Sequence, residues 1–346
     1  MANNTLTTIY RMPAEWERQW GVMLTWPHEQ TDWFCYLDDI TETHLQMADA
    51  ITRHEHLLVV EPVCGYAQRL LEARLSPTQL QRVVCHTCES NDTWARDHGP
   101  ITLVGDDGSL LALDFRFNGW GEKFPAEKDN AINRSLHKAG RLHGEYEDHL
   151  DFVLEGGSIE SDGRGTVFTT STCLLAPHRN QPLSQDEIEK QLKRRLHAEH
   201  VVWLDHGELE GDDTDGHIDT IVRTAPDDTL LYVSSGKDDD LQHEDFVLLE
   251  QQLRALRTQE GKPYRLIALP MADAIYEEGE RLPATYANFL VINGAVIYPT
   301  YAQPENDERA RKAIAQAFPG REMIGIDART IIRQHGSIHC LTMQMS

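Results

Sequence analysis

The sequence has no apolar run approaching the roughly 18 residues that a membrane helix needs. Its opening stretch, Met1 to Pro13, is polar and lacks the apolar centre of a signal peptide. The expected compartment is therefore the cytoplasm. Cysteine is sparse: six in 346 residues read as reduced thiols, not as a disulfide framework. No Pro, Gly or Ser linker and no low-complexity block divides the chain, so a single domain over residues 1–346 is expected. Positive charge is also scarce, with 32 Lys and Arg against 56 Asp and Glu and a formal net charge of −24. An acidic surface repels phosphate backbones and anionic lipid faces, which argues against nucleic acid and membrane as partners. A small cation would be drawn to it. With 40% hydrophobic residues, the chain can still bury a large core.

Turn signals recur along the chain. Ile101–Val104 and Leu110–Leu113 flank an Asp-Gly turn, and Ser158–Glu160 and Thr166–Thr169 flank a second at Asp162-Gly163. Ile221–Arg223 and Leu230–Val233 flank Pro226-Asp227-Asp228, while Phe289–Ile292 and Ala295–Tyr298 flank Asn293-Gly294. Each reads as a β-hairpin. The markers Asp107, Asp162, Asp227 and Asn293 are 55, 65 and 66 residues apart, which implies four or five copies of one unit. Helical stretches are expected between them at Asp38–Arg53, Gln185–His197, Glu244–Leu256 and Glu305–Ala317. In the second of these, Ile188, Leu192 and Leu196 make one apolar stripe, and Ser184 with Glu187 forms a capping box. A ring of ββαβ-like units fits the alternation. Ser337–Met343 reads as a strand that starts an incomplete last unit, for which Gly21–Trp26 supplies the partner.

A polar cluster precedes each hairpin: Arg96-Asp97-His98-Gly99, then Glu155-Gly156-Gly157, then Asp215-Gly216-His217-Ile218-Asp219, with His339-Cys340 near the C-terminus. Taken alone, each has a plainer reading. A single Cys is usually a small buried hydrophobe, Arg96-Asp97 an ion pair, and Trp94 and Trp120 packing residues. Their shared phase in the repeat argues otherwise, because equivalent loops of a repeat scaffold meet on one face. On a strand, His217 and Asp219 would also point the same way. Cys85-His86-Thr87-Cys88 lacks the second pair a zinc site needs, and Gly211–Val222 lacks the terminal acidic ligands of a calcium loop. The cluster Asp205, His206, Asp212, Asp213, Asp215, His217 and Asp219 is a rival centre for a divalent metal.

A thiol, a His and several carboxylates suit covalent chemistry at a carbon in a cationic substrate. A guanidinium fits, its nitrogens gripped by Asp97 and Asp219 and its carbon open to the Cys340 thiolate. His217 would serve as acid and base with Glu155 as its partner, and neither a metal nor a cofactor is called for.

Together with Met12-Pro13-Ala14-Glu15-Trp16-Glu17, Asn91–Pro100, Phe117–Gly121, Leu154–Ser158, Gly211–Asp219 and Gly336–Gln344, these residues closely resemble the agmatine deiminase branch of the guanidine-modifying, or pentein, superfamily. Peptidyl-arginine deiminases of the bacterial type belong there too. The resemblance spans nearly the whole chain. It implies a five-bladed α/β propeller with pseudo-fivefold repeats, hydrolysis of agmatine or another guanidine without a cofactor, and the roles just given for Cys340, His217, Glu155, Asp97 and Asp219. It also places Trp94, Trp120 and Asp213 near the substrate. A molecule of this size could form a homodimer through its helices. Where many members carry Gly-Gly-Asn before the Ile-His-Cys, this chain has His335-Gly336-Ser337, a difference that bears on the substrate tail.

Overall fold

Each expected hairpin forms, and a helix carries the chain from it to a third strand. The computed structural model describes residues 8–237 and 240–346, so the first seven residues of the polar Met1–Pro13 stretch lie outside the described ones. In the first unit the antiparallel pair Ile101–Gly105 and Leu110–Arg116 is followed by the helix Ile132–Lys138 and the strand Glu145–Val153, which runs parallel to Leu110–Arg116. The order recurs in Ile159–Ser161, Thr166–Thr170 and His200–Leu204 around the helix Gln185–Leu196. It recurs in Val222–Ala225, Thr229–Val233 and Arg265–Leu269 around His243–Ala255. A fourth copy joins Leu290–Ile292, Ala295–Thr300 and Glu322–Asp327 around Pro304–Ala317. A parallel return needs such a crossover, which is why each helix sits where it does.

The fifth sheet joins the two ends of the chain. Thr342–Met345 runs antiparallel to Gly21–Thr25, and after the helix Leu37–His54 the strand His56–Glu61 lies parallel beside it, with Val83–Thr87 outside. The pairing expected for Gly21–Trp26 therefore holds. Among the described residues the five are separate sheets in a mixed α/β fold, accompanied by the small hairpin Ile275–Glu277 and Glu280–Leu282.

Local chemistry accounts for the elements. Gly294 takes φ 79° in the fourth hairpin, whereas Asp227 (60°) and Asp228 (52°) carry the positive φ of the third without a glycine. Before the helix Gln185–Leu196, the Glu187 carboxylate accepts the Ser184 backbone N–H at 2.8 Å, and Ile188, Leu192 and Leu196 are fully buried. Each such side chain contributes about 1.5–3 kcal/mol of burial. No described helix is long and apolar enough to cross a membrane.

Two expectations need correction. Ser337–Met343 is not a continuous strand: pairing begins at Thr342, and Cys340 lies in the turn before it. Nor do His217 and Asp219 lie on a strand. His217 precedes the 3-10 turn Ile218–Thr220, and comparable turns at Ala95–His98 and Gly156–Ser158 lead into the first two hairpins. The reactive side chains are thus held by tight turns at the strand entrances.

Candidate active site

The turns bring the phased residues together. Asp97 Oδ1 lies 3.6 Å from His217 Nδ1 and accepts the Gly157 N–H at 3.0 Å, while its Oδ2 accepts the Trp120 indole N–H at 3.0 Å. The Cys340 thiol is 3.9 Å from Asp219 Oδ2. Glu155, Cys173 and His217 each offer a polar atom within 4.8 Å of the other two. Gly157 makes this closeness feasible. A Cβ there would stand 2.6 Å from His217 Nδ1, 2.8 Å from Asp97 Oδ1 and 3.2 Å from Asp219 Oδ2.

Burial and charge set the protonation. Burial, partly offset by the His217 charge and reinforced by Asp219 and Glu155, pushes Asp97 up to about 6. Burial also raises Asp219, but the hydrogen bond and charge of His339, with His217 and Arg223, outweigh it and hold the carboxyl below its usual range. For His217 burial opposes the charge, yet Asp97, Cys173 and Glu155 prevail and keep the pKa well above its ordinary value. Burial first, then Asp219 and Asp97, drive the Cys340 thiol well above the usual range. The site thus holds a proton on sulfur and a proton on His217 beside carboxylates, an arrangement that a bound cation would rebalance toward the thiolate.

Asp219 Oδ1 and Glu155 Oε2 are buried with no hydrogen-bond partner among the described residues, and both ring nitrogens of His217 are in the same condition. Buried polar atoms left so are uncommon, and their gathering here marks a place for a polar ligand. Cys340 and Asp97 open onto a cleft that Trp94, Trp120 and Asp213 also line, together with Asp32, Asp92 and Asp129. No Lys or Arg is among its lining residues. Burial raises Asp92 to about 7 and Asp129 to about 8, and burial with Asp212 raises Asp213. Gly336 packs against the Trp94 ring, which leaves no space for a Cβ. His335 Nδ1 lies 2.7 Å from the Gly211 carbonyl oxygen.

Among the described residues, those proposed for the rival metal cluster do not gather as one set of ligands. His206 pairs with Asp245 at 3.0 Å, Asp212 accepts from Thr214 and Gly216, Asp205 accepts from Ser171, and Asp215 pairs with Arg179 and Lys123. Arg96 is not the partner of Asp97 either, since its guanidinium reaches Glu15 at 3.3 Å.

Several site residues escaped the sequence reading. Asn288 Oδ1 accepts the Cys340 thiol at 3.2 Å and the backbone N–H groups of His339 and Cys340 at 3.0 and 3.2 Å. Its phase could have revealed it, because it lies 69 residues after Asp219, just ahead of the fourth hairpin. Arg179 donates from Nε to Glu155 Oε1 at 2.8 Å and from Nη1 to Asp215 Oδ2 at 2.5 Å, with its side chain wholly buried. Cys173 packs beside His217.

A family model described as Porphyromonas-type peptidyl-arginine deiminase matches residues 11–346. A solved structure from Porphyromonas gingivalis, provisionally named an arginine deiminase, is 48% identical with a TM-score of 0.90, over 97% of this chain and 98% of that one. A C. jejuni agmatine deiminase, solved with substrate bound as a Cys-to-Ser variant, is 34% identical with a TM-score of 0.89, over 100% of this chain and 98% of that one. A curated relative from Marinomonas sp. (strain MWYL1), provisionally named an agmatine deiminase, is 33% identical over 97% of this chain and 94% of its own length.

Proposed function

The chain belongs to the Porphyromonas-type peptidyl-arginine deiminase family, and we propose that it is a five-bladed α/β propeller of pentein type that hydrolyses agmatine to N-carbamoylputrescine and ammonia. The five like sheets, the last built from both chain ends, support a single catalytic domain arranged around the reactive turns. We place the enzyme in the cytoplasm, with a homodimer as its assembly.

One observation carries the choice of substrate: aspartates line the cleft in front of Cys340, and no Lys or Arg does. Agmatine carries a second cation at the far end of its chain, which can donate to these carboxyls and, as a neighbouring positive charge, favours their ionised form. Free arginine would bring an α-carboxylate to the same place, where the lining offers it no Lys or Arg. Arginine or an arginyl peptide is the second reading, favoured by the family description and by the name of the P. gingivalis relative.

In the mechanism we infer, Asp97 and Asp219 hold the guanidinium in plane, and its positive charge favours the thiolate, so that the Cys340 proton passes to solvent. The thiolate attacks the central carbon to form a C–S bond. His217 gives its proton to one nitrogen, the C–N bond breaks and ammonia leaves, so a thiouronium remains on Cys340. His217 then takes a proton from water, whose oxygen bonds to the carbon. Collapse breaks the C–S bond and releases the ureido product, while the proton of the new hydroxyl passes to the sulfur. Glu155, held by Arg179, stabilises the charged imidazole. No step requires a metal or a cofactor.

The test is ammonia release from agmatine, arginine and an arginyl peptide in parallel, with chelator present and Cys340→Ser as control. Agmatine should be turned over fastest, and the variant should release none. Faster release from arginine or the peptide would overturn the substrate.

A further inference from the structure

The motif Met12–Glu17 plays no part in the chemistry above, yet one of its residues reaches the floor of the site. Behind Cys340, the buried imidazole of His339 lies between two carboxylates. Nδ1 is 2.7 Å from Asp219 Oδ2, and Nε2 is 2.6 Å from Glu15 Oε1. Glu15 is itself fixed from two sides, by Arg223 Nη2 donating to Oε2 at 2.5 Å and by Arg96 at 3.3 Å from Oε1. Arg223 continues the chain by donating from Nε to Glu160 Oε1 at 2.5 Å.

The partners decide where the protons are. An unprotonated Nδ1 facing Asp219 Oδ2 at 2.7 Å would set two lone pairs against each other, so Nδ1 of His339 donates to Asp219. Arg223 Nη2, 3.1 Å from Nε2, gives one of its two hydrogens to Glu15 Oε2.

We propose that His339 is a positioning residue: anchored by Glu15, it holds Asp219 Oδ2 so that Oδ1 is presented to the guanidinium. Two observations fit together in this. Oδ2 is the Asp219 oxygen 3.9 Å from the Cys340 sulfur, and it is the one His339 engages. Oδ1 is buried and has no partner among the described residues. Without the imidazole, the carboxylate would be free to turn, and its charge would face the sulfur that has to ionise. The Met12–Glu17 motif thereby belongs to the active site through Glu15, although it touches no reacting atom. The inference rests on the reading that Asp219 grips a guanidinium.

Two replacements of one residue separate positioning from packing. In His339→Asn the amide nitrogen falls near the place of Nδ1 and can still donate to Asp219, whereas in His339→Gln it reaches toward Nε2 and Glu15. Circular dichroism and thermal unfolding establish that each is folded. With agmatine, the Asn variant should keep kcat/KM within about tenfold of the parent, and the Gln variant should fall about a hundredfold, mostly through KM. Equal losses in the two, or no loss in either, would overturn the proposal. Should either fail to fold, Glu15→Ala gives a second reading, with KM raised about tenfold and kcat little changed; an unaltered KM would contradict the proposal. If the unmodified protein releases no ammonia from agmatine, the reading beneath it falls as well, whereas an active parent with matched Asn and Gln variants sinks this inference alone.

Discussion

The Cys340 thiol donates to Asn288 Oδ1 at 3.2 Å, and the same oxygen accepts the Cys340 backbone N–H at 3.2 Å. One acceptor thus fixes both the turn and the rotamer of the nucleophile, in the protonated form that burial and the two carboxylates favour. Reactivity should follow the charge of the reagent. At pH 7, neutral iodoacetamide should label the exposed Cys35 and Cys64 before Cys340, while cationic 2-chloroacetamidine should label Cys340 first. Peptide mass spectrometry reads the order, and Cys340 leading with iodoacetamide would contradict a protonated resting thiol.

Asp97, raised to about 6, should set the acid limb of the rate profile. Below that value the carboxyl is neutral and loses its hold on a guanidinium, so activity falls as pH falls. His217, held well above its ordinary value, stays charged across this range and adds nothing to the limb. From pH 7 to pH 5, kcat/KM for agmatine should drop about tenfold, as expected of one proton. A flat profile down to pH 4 would show that Asp97 is not an ionised substrate ligand.

Gly157→Ala should disable the site without unfolding the protein. Its Cβ would need space now held by His217 and Asp97, at 2.6 and 2.8 Å, and both side chains would have to shift from their buried positions. A displacement of this size should lower kcat about a hundredfold, with unchanged circular dichroism. Retention of full kcat would mean that the spacing of these groups is not what matters.

The Arg179–Glu155 pair has both side chains fully buried. Arg179→Met leaves Glu155 uncompensated and should cost about 3–5 kcal/mol in urea unfolding at pH 7. Adding Glu155→Gln should recover part of that stability and none of the activity, because His217 then lacks its carboxylate. Equal stability of the single and double variants would contradict the pairing.

Much of this architecture is legible in the sequence. The Asp-Gly, Asp-Asp and Asn-Gly turns announce the hairpins, and the shared phase of Asp97, Glu155, His217 and Cys340 anticipates their meeting in space. What failed to read through was tertiary. Ser337–Leu341 alternates like a strand, but Asn288 takes the N–H groups that a ladder would have used. Asp97 has Arg96 beside it in sequence, yet Arg96 turns to Glu15, and Arg179 reaches Glu155 across 24 residues with no local signal. Glu15 is 324 residues from His339, a distance at which pattern alone gives no pairing.

The most direct test of the central claim is an acid quench of the protein during turnover of agmatine, followed by mass spectrometry of the peptide containing Cys340. The account predicts a transient adduct equal to agmatine less ammonia, confined to Cys340 and absent from Cys340→Ser. Rapid turnover with no adduct on that residue, or turnover that survives the substitution, would contradict it.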